Sequence, residues 1–91
     1  MEQAQPTPYC LYILKSESAP RYYYGISEDP ERRLSCHNSI EKGFTSRYRP
    51  WKLVFVKQYP SRTEAHRAEL TVKRWKSRSM TEKLIAGIVS L

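Results

Sequence analysis

The sequence predicts an α+β fold in which helices flank a small, three-stranded, largely antiparallel sheet. Three runs of aromatic and β-branched residues, separated by turn-forming residues, indicate the strands. Two helix-start signals and an apolar stripe at helical spacing indicate the helices. In chain order the elements are β-β-α-β-α-α, which favours helices packed against a small sheet.

The first two strands are predicted to form a hairpin. Residues 9–14 and 22–26 have the composition of strands, and the residues between them are turn-formers. If the hairpin is symmetric about this loop, Tyr12 lies opposite Tyr23 on one face. Gly25 either permits a close approach of backbone or substrate beside these residues or marks a bulge in the strand.

The first helix is predicted to begin at residues 29–31. Their order is Asp-Pro-Glu: Asp caps free amides, Pro tolerates the first helical position, and Glu opposes the positive end of the helix dipole. We expect the helix to run to about residue 38. Arg33 and His37 are four residues apart, so both side chains leave the same helix face. Leu34 points away from that face and into the core.

A basic connection and a third strand follow. Residues 39–50 combine several cations with Gly43 and a final Pro50, which predicts a mobile loop. Residues 52–59 have the composition of a strand, which Pro60 ends.

The second helix is predicted after Ser61, which together with Glu64 has the spacing of a capping box. Glu69 lies about 80° from the centre of the apolar stripe, at the boundary between core and solvent. The stripe consists of Ala65, Ala68, Val72 and Trp75. A last helix is predicted near residue 81, and its apolar side chains available for packing are Leu84, Ile85, Ile88 and Val89.

Length and charge limit the class of protein. The chain has 91 residues, so we expect a flexible lead at residues 1–8 and a single domain at residues 9–91. Its 16 Lys and Arg against 9 Asp and Glu give a formal charge of +7, which favours a polyanionic partner. Charge alone fits a merely soluble basic protein equally well.

Cysteine use and hydropathy indicate the compartment. Cys10 and Cys36 are far apart and form no CxxC motif, which indicates reduced thiols in a cytoplasmic protein. No apolar run approaches the ~18 residues of a membrane-spanning helix, and the N-terminus lacks the pattern of a secretory signal. The sequence therefore predicts a cytoplasmic chain with no membrane partner.

Several short motifs occur in a characteristic order. Cys-Leu-Tyr at residues 10–12 is followed, after ten residues, by Tyr-Tyr-Gly at residues 23–25, and Arg33 lies eight residues beyond the glycine. This order resembles the core motif of the GIY-YIG nuclease superfamily. Three later segments look like the small stand-alone bacterial members of that family: residues 33–38, 49–54 and 65–75. The likeness covers about residues 9–86.

Three departures from the family pattern are present. The first motif has Cys-Leu where the family has Gly-Ile, and the second has Tyr where the family has Ile. Larger members carry an Asn beyond the metal-binding Glu, whereas residues 70–91 contain none. Both motif tyrosines and the second glycine are retained.

The resemblance implies hydrolysis of a phosphodiester, which requires an activated water, a cation at the phosphate and a donor for the transition state. Tyr12 would take a proton from the water, and Tyr23 would hydrogen-bond the water or the scissile phosphate. Arg33 would stabilise the transition state, and His37 would contact phosphate or assist proton transfer. Glu69 would hold Mg²⁺ or Mn²⁺, since one carboxylate with waters and phosphate is a normal Mg²⁺ site.

Further basic and aromatic residues are candidates for contact with nucleic acid. In the connection at residues 39–50, cations alternate with aromatic residues. Cations can bind a phosphate backbone and aromatic rings can stack on bases, although a solvated loop has the same composition. At the end of the long helix they predict sequence-indifferent backbone contacts. The set consists of Arg32, Lys42, Arg47, Tyr48, Arg49, Lys73 and Arg74. His66 has only helix-surface reasons to be present.

The sequence therefore predicts a metal-dependent endonuclease that acts on DNA with low intrinsic sequence specificity, in DNA repair or recombination. Such a monomer or weak dimer would take a protein partner for targeting. One alternative is a member of the same family that binds nucleic acid with weak or no catalysis. Another is a small basic protein whose partner is an acidic protein.

Overall fold

The computed structural model describes residues 7–39 and 43–91. The described elements are β1 (Tyr9–Ser16), β2 (Tyr22–Ser27), α1 (Pro30–Ser39), α2 (Phe44–Arg47), β3 (Trp51–Tyr59), α3 (Arg62–Trp75) and α4 (Arg78–Ile85). The predicted α+β fold with a three-stranded antiparallel sheet is confirmed, whereas the predicted order β-β-α-β-α-α lacked α2. Residues 1–6 of the predicted lead, and Lys42, lie outside the described residues.

The central strand β1 forms the middle of the core. The sheet order is β2-β1-β3, and both pairings are antiparallel. On one face of β1, Leu11 and Ile13 pack against side chains of α3 and α4. On the other face, Tyr12 and Leu14 pack against the buried Trp51. Because both faces are covered, residues 10–14 are all buried and read as a continuous apolar run.

The hairpin register differs from the symmetric one. Tyr12 pairs with Gly25, and Tyr23 pairs with Leu14, so the predicted pairing of Tyr12 with Tyr23 is wrong. The two tyrosines do lie on the same face, because they are two positions apart in register. The shift arises because β1 continues to Ser16, whose hydroxyl accepts hydrogen bonds from two backbone amides of the turn.

Gly25 is required by a close contact with its cross-strand partner. A Cβ at this position would lie 2.6 Å from Oη of Tyr12 and 2.7 Å from its Cζ. Of the two interpretations of Gly25, the close approach is the one that the structure supports. The group that approaches is the phenol of Tyr12 itself.

Helix α1 begins as the sequence predicts. Oδ1 of Asp29 accepts a hydrogen bond from the backbone amide of Arg32 at 3.2 Å, which is the expected N-terminal cap. The helix runs to Ser39, one residue beyond the expected end. Leu34 packs against the cluster that contains Tyr12 and Trp51, so its predicted core position is confirmed.

In the described part of the connection before β3, a short helix stands where the sequence predicted a loop. Residues 44–47 form α2, because the aromatic rings around them pack on Trp51. The ring centroids of Phe44 and Tyr48 lie 6.1 and 6.5 Å from that of Trp51. The indole N–H of Trp51 donates to the carbonyl of Thr45 at 2.8 Å, which satisfies its buried polar atom.

Two side chains fasten α1 to the start of β3. Oδ1 of Asn38 accepts from the amide of Trp51 at 2.6 Å, and its Nδ2 donates to the carbonyl of Trp51 at 3.0 Å. Nε of Arg49 donates to the carbonyl of His37 at 2.6 Å. The end of α1 is therefore held at a fixed position relative to the sheet.

Helices α3 and α4 cover the face opposite Tyr12. The Ser61 hydroxyl accepts from the amide of Glu64 and donates to its carboxylate, so the predicted cap is confirmed. The stripe residues Ala65, Ala68 and Val72 are buried.

Helix α4 starts three residues earlier than predicted, because Ser77 caps it by accepting from the amide of Met80. Leu84 is buried as expected, but Ile88 is 72% exposed, so its predicted packing is wrong. The helix ends at Ile85, and Gly87, at φ 80°, turns the chain away.

Cys10 and Cys36 are both free thiols, in agreement with the expected reduced state. Among the residues with a described structure, none belongs to a helix with the length and apolar character that crossing a membrane requires.

We expect Asn38→Ala to lower the free energy of unfolding by about 1–3 kcal/mol, because two backbone groups of a buried residue lose their partners. Urea unfolding measures the change. Ser39→Ala serves as the control, since the exposed Ser39 hydroxyl bonds only within its own helix and its loss should cost no more than ~0.5 kcal/mol. Equal stabilities of the two variants would contradict the role of Asn38.

We expect Gly25→Ala to destabilise the fold by about 1–3 kcal/mol, because the new methyl group overlaps the Tyr12 phenol. The matched comparison is the same substitution in a Tyr12→Ala background, where the space is empty and the cost should largely disappear. If urea unfolding gives the same cost in both backgrounds, the close contact is not what requires glycine.

Candidate active site

Tyr12, Tyr23 and His37 form a compact group on the face of the sheet that α1 covers. Tyr12 is 1% exposed, and a hydrogen bond of 3.2 Å joins its hydroxyl to Nε2 of the buried His37. The ring of Tyr23 lies 4.5 Å from that of His37 and 6.4 Å from that of Tyr12, between centroids. The hairpin and α1 thus bring three of the five predicted catalytic residues into one cluster.

Arg33 and Glu69 both act on the Tyr12 hydroxyl. Burial raises the pKa of Tyr12 above its usual range, and the nearby charge of Glu69 raises it further. A hydrogen bond from the Arg33 side chain, and its charge, oppose this increase. Arg33 joins the cluster of Tyr12, Tyr23 and His37 through this hydrogen bond, whereas Glu69 is linked to the cluster only through the effect of its charge.

The direction of this pKa shift determines what Tyr12 does at neutral pH. A phenol has an ordinary pKa near ~10, and burial moves that of Tyr12 higher, so the hydroxyl is protonated at neutral pH. In this state it donates or shares a hydrogen bond. Accepting a proton from water requires additional positive charge next to the hydroxyl.

Glu69 lies at the boundary of the core, as predicted, and its side chain is 12% exposed. Oε2 lies 3.0 Å from Nζ of Lys73, and Oε1 accepts from Nδ1 of His66 at 3.1 Å. The contact of His66 is an i, i+3 pair on the surface of α3, and this agrees with its expected place on the helix surface. The signal for both contacts was in the sequence, since residues three and four positions apart meet on a helix.

The donor set at Glu69 fits Mg²⁺ or Mn²⁺ and does not fit zinc. Within the described ranges, no three His, Cys, Asp or Glu side chains are grouped as metal ligands, whereas zinc takes three or four. Mg²⁺ needs only one or two carboxylates, because it keeps several waters and takes phosphate oxygens. Each oxygen of Glu69 has one partner, and a carboxylate accepts about four contacts, so capacity for a cation remains.

A cleft of about 660 Å³ reaches this cluster through Arg33. Arg32, Arg62 and Tyr9 also line it. The cleft contains none of the other four candidate residues. Arg33 therefore connects the buried Tyr12 with the cleft, where its guanidinium can donate to a phosphate together with Arg32 and Arg62. Arg62 and Tyr9 were not anticipated, because they come from distant parts of the chain.

The residues predicted to contact nucleic acid differ in their exposure and in their contacts with other side chains. Arg32, Arg47 and Arg74 are exposed, while Lys73 contacts Glu69. Tyr48 is half-buried beneath the guanidinium of Arg21, whose Cζ lies 5.4 Å from the ring centroid. Nε of Arg49 donates a hydrogen bond to the carbonyl of His37, and this bond gives Arg49 a structural role.

Comparison with known proteins agrees with this geometry. Residues 8–83 match the GIY-YIG catalytic domain. The structure-specific endonuclease subunit slx1 of Talaromyces stipitatus is 43% identical over 67 residues, 66% of this chain and 17% of the relative. The namesake protein of Aspergillus terreus is 36% identical over 90 residues, 89% of this chain and 23% of the relative. The chain thus spans about a fifth of the length of these relatives.

A solved structure has the same fold. The solution NMR structure of the UPF0213 protein BH0048 from Bacillus halodurans aligns with a TM-score of 0.55 and 31% identity, covering 87% of this chain and 83% of that protein. The narrower resemblance to small stand-alone bacterial members stays a prediction. The expected class of enzyme, a nuclease, is confirmed at the level of the family. This chain belongs to the GIY-YIG catalytic domain family.

Proposed function

We propose that residues 9–91 form a single metal-dependent endonuclease domain that hydrolyses phosphodiester bonds of DNA with low intrinsic sequence specificity. The observation that carries the proposal is that the buried hydroxyl of Tyr12 is hydrogen-bonded to His37 beside Tyr23, while Arg33, on the same helix as His37, lines an open cleft. Together with the carboxylate of Glu69, these side chains are the groups that hydrolysis of a phosphodiester requires: a proton acceptor, a donor to phosphate and a metal ligand.

Each side chain has a role that its position supports. Arg33 lines the cleft and donates to phosphate oxygens, which stabilises the charge of the transition state. Tyr12 holds or accepts the proton of the attacking water at its hydroxyl. His37 is buried and bonded to that hydroxyl, so it positions Tyr12 and takes part in proton transfer without touching solvent.

Two further residues complete the site. Tyr23 packs on His37 and offers its hydroxyl to the phosphate or the water. Glu69 would hold the Mg²⁺ or Mn²⁺ ion, which supplies charge neutralisation at the phosphate and lowers the pKa of water. His66 and Lys73 orient the carboxylate of Glu69 through their contacts with its two oxygens.

The charge of the domain and the names of its relatives support the substrate. A formal charge of +7 favours a polyanion, and Lys and Arg contacts to phosphates carry no sequence information. The fungal relatives are named structure-specific endonuclease subunits. We therefore extend the proposal to branched DNA, to a role in repair or recombination, and to a protein partner for targeting.

A second candidate function is binding of nucleic acid with little catalysis. Burial keeps Tyr12 protonated at neutral pH, and residues 70–91 contain no Asn, which larger members of the family carry. Both observations favour a weaker catalyst. Cleavage of single-stranded, duplex and branched DNA with and without Mg²⁺ discriminates the two functions.

We expect Glu69→Ala to abolish metal-dependent cleavage while affinity for DNA stays within about twofold, because it removes the carboxylate that holds the metal and no phosphate contact. Glu17→Ala removes an exposed carboxylate from the hairpin turn and serves as the charge-matched control. Cleavage by purified Glu69→Ala at the rate of the control would refute the metal-ligand assignment.

We expect Tyr12→Phe and Arg33→Ala each to reduce the single-turnover rate by at least ~100-fold, since each supplies a few kcal/mol of barrier lowering. The matched controls are Tyr59→Phe and Arg67→Ala, which alter a β3 tyrosine and an exposed α3 arginine outside the cluster. A loss of DNA affinity at an unchanged rate would instead assign Tyr12 and Arg33 to docking.

A further inference from the structure

We propose that a groove around the outer edge of β2 binds one unpaired nucleotide of the DNA, with the base stacked on Phe44 and the phosphate held by Lys76 and Arg78. This inference rests on the proposed function, and it adds a place where the strand next to the scissile phosphate is held. All three lie in segments that the sequence indicated as candidates for contact with nucleic acid, Phe44 in the basic connection and Lys76 and Arg78 at the basic end of the long helix. The structure brings these two segments to one groove.

The groove has the size of one unit of a polymer. It encloses about 240 Å³, which is below the ~300–1,000 Å³ typical of pockets for whole small-molecule ligands. Phe44 lines it, as do Arg21 at the end of the hairpin turn and Tyr24 of β2. Its other wall comes from the end of α3 and the start of α4, with Lys73, Lys76 and Arg78.

The charge of the groove fits a phosphate. Four cations line it, Arg21, Lys73, Lys76 and Arg78, and its lining includes no carboxylate. Lys73 and Arg78 contact Glu69 and Glu82, but both cationic side chains are half exposed, so these pairs hold them weakly. A phosphate therefore meets an excess of positive charge at this edge of the sheet.

Phe44 provides the surface for a base. Its side chain is 47% exposed, although its ring is held by those of Tyr48 and Trp51, at centroid distances of 5.0 and 6.1 Å. An aromatic ring that is fixed on one side and open on the other, next to cations, is the arrangement on which bases of single strands stack. Stacking accepts every base, which agrees with low sequence specificity.

The groove adjoins Glu69 of the candidate active site through Lys73. Lys73 lines the groove, and its Nζ lies 3.0 Å from Oε2 of Glu69. A strand that crosses the active site therefore reaches the groove within a short distance. In a duplex the faces of a base are covered by its neighbours, so only an unpaired nucleotide can present a face to Phe44.

The test measures binding in EDTA, where cleavage cannot occur, by fluorescence anisotropy of a labelled oligothymidylate and of a blunt-ended duplex. We expect Phe44→Leu, which keeps an apolar side chain, to weaken binding of the single strand by about 5-fold or more and to leave the duplex unchanged. Lys76→Gln with Arg78→Gln should reduce the slope of log affinity against log salt by about 1.4 for the single strand.

Matched variants control for folding and for net charge. Val56→Ala removes an exposed apolar side chain from β3, and Lys15→Gln with Lys52→Gln removes two exposed cations outside the groove. Both should bind the single strand like the unmodified protein, apart from a small change of slope. If Phe44→Leu lowers the melting temperature, the test of the groove is the salt dependence of single-strand binding by Lys76→Gln with Arg78→Gln.

Several results would overturn the proposal. The first is that Phe44→Leu binds the single strand as tightly as the unmodified protein. The second is that Phe44→Leu loses as much affinity for the duplex as for the single strand. The third is that polyglutamate competes with the oligonucleotide and that its own binding is weakened by Phe44→Leu to the same extent. Because these measurements contain no metal, failure of the unmodified protein to cleave any DNA counts against the proposed function alone. Retained binding by the groove variants counts against the groove alone.

Discussion

The contact between the Tyr12 phenol and the backbone of Gly25 is the constraint on which the rest of the site depends. Because Gly25 has no side chain, the phenol packs closely over the backbone of β2, and its hydroxyl reaches His37 on α1. That hydrogen bond joins a strand to a helix across 25 positions of sequence. Any movement of the hydroxyl would therefore change its relation to His37 and Arg33 together, since both leave the same face of α1.

The two faces of the sheet contribute different parts of the site. On one face, Asn38 and Arg49 hold the end of α1 against β3, which fixes the helix that carries Arg33. On the other face, α3 is held by the packing of Ala65, Ala68 and Val72. Glu69 belongs to this second layer, yet its charge acts on Tyr12 in the first. The sheet therefore carries the candidate residues of both layers, and the stability of both layers is needed for the proposed site.

The helices and strands could be predicted from residues close together in the sequence, whereas the contacts between these elements could not. Capping at Asp29 and Ser61 and the stripe on α3 follow from interactions within a few residues, and all three were predicted correctly. The hairpin register depended on how far β1 continues, which a side-chain contact of Ser16 in the turn decides. Helix α2 was missed because its stability comes from packing on Trp51 and not from its own composition. The five catalytic candidates were proposed from motif spacing, and they stay a prediction. The cleft and the groove are each formed by residues of several separate elements, so the sequence could not predict which of these residues would share one surface.

Burial of Tyr12 has two opposite effects on its proposed role as a base. The same packing that positions the hydroxyl also raises its pKa, which favours the protonated form at neutral pH. Arg33 is the one positive group among the causes of this shift, and it lowers the pKa of the hydroxyl through a hydrogen bond and its charge.

A phosphate bound at Arg33 would draw part of that positive charge away from Tyr12, so substrate binding alone makes the phenol a poorer base. Positive charge must then be supplied from the side of Glu69, whose own negative charge raises the pKa of Tyr12 until a cation neutralises it. If Glu69 holds the metal ion proposed above, the cation would cancel this increase, and the basicity of Tyr12 would then depend on the metal.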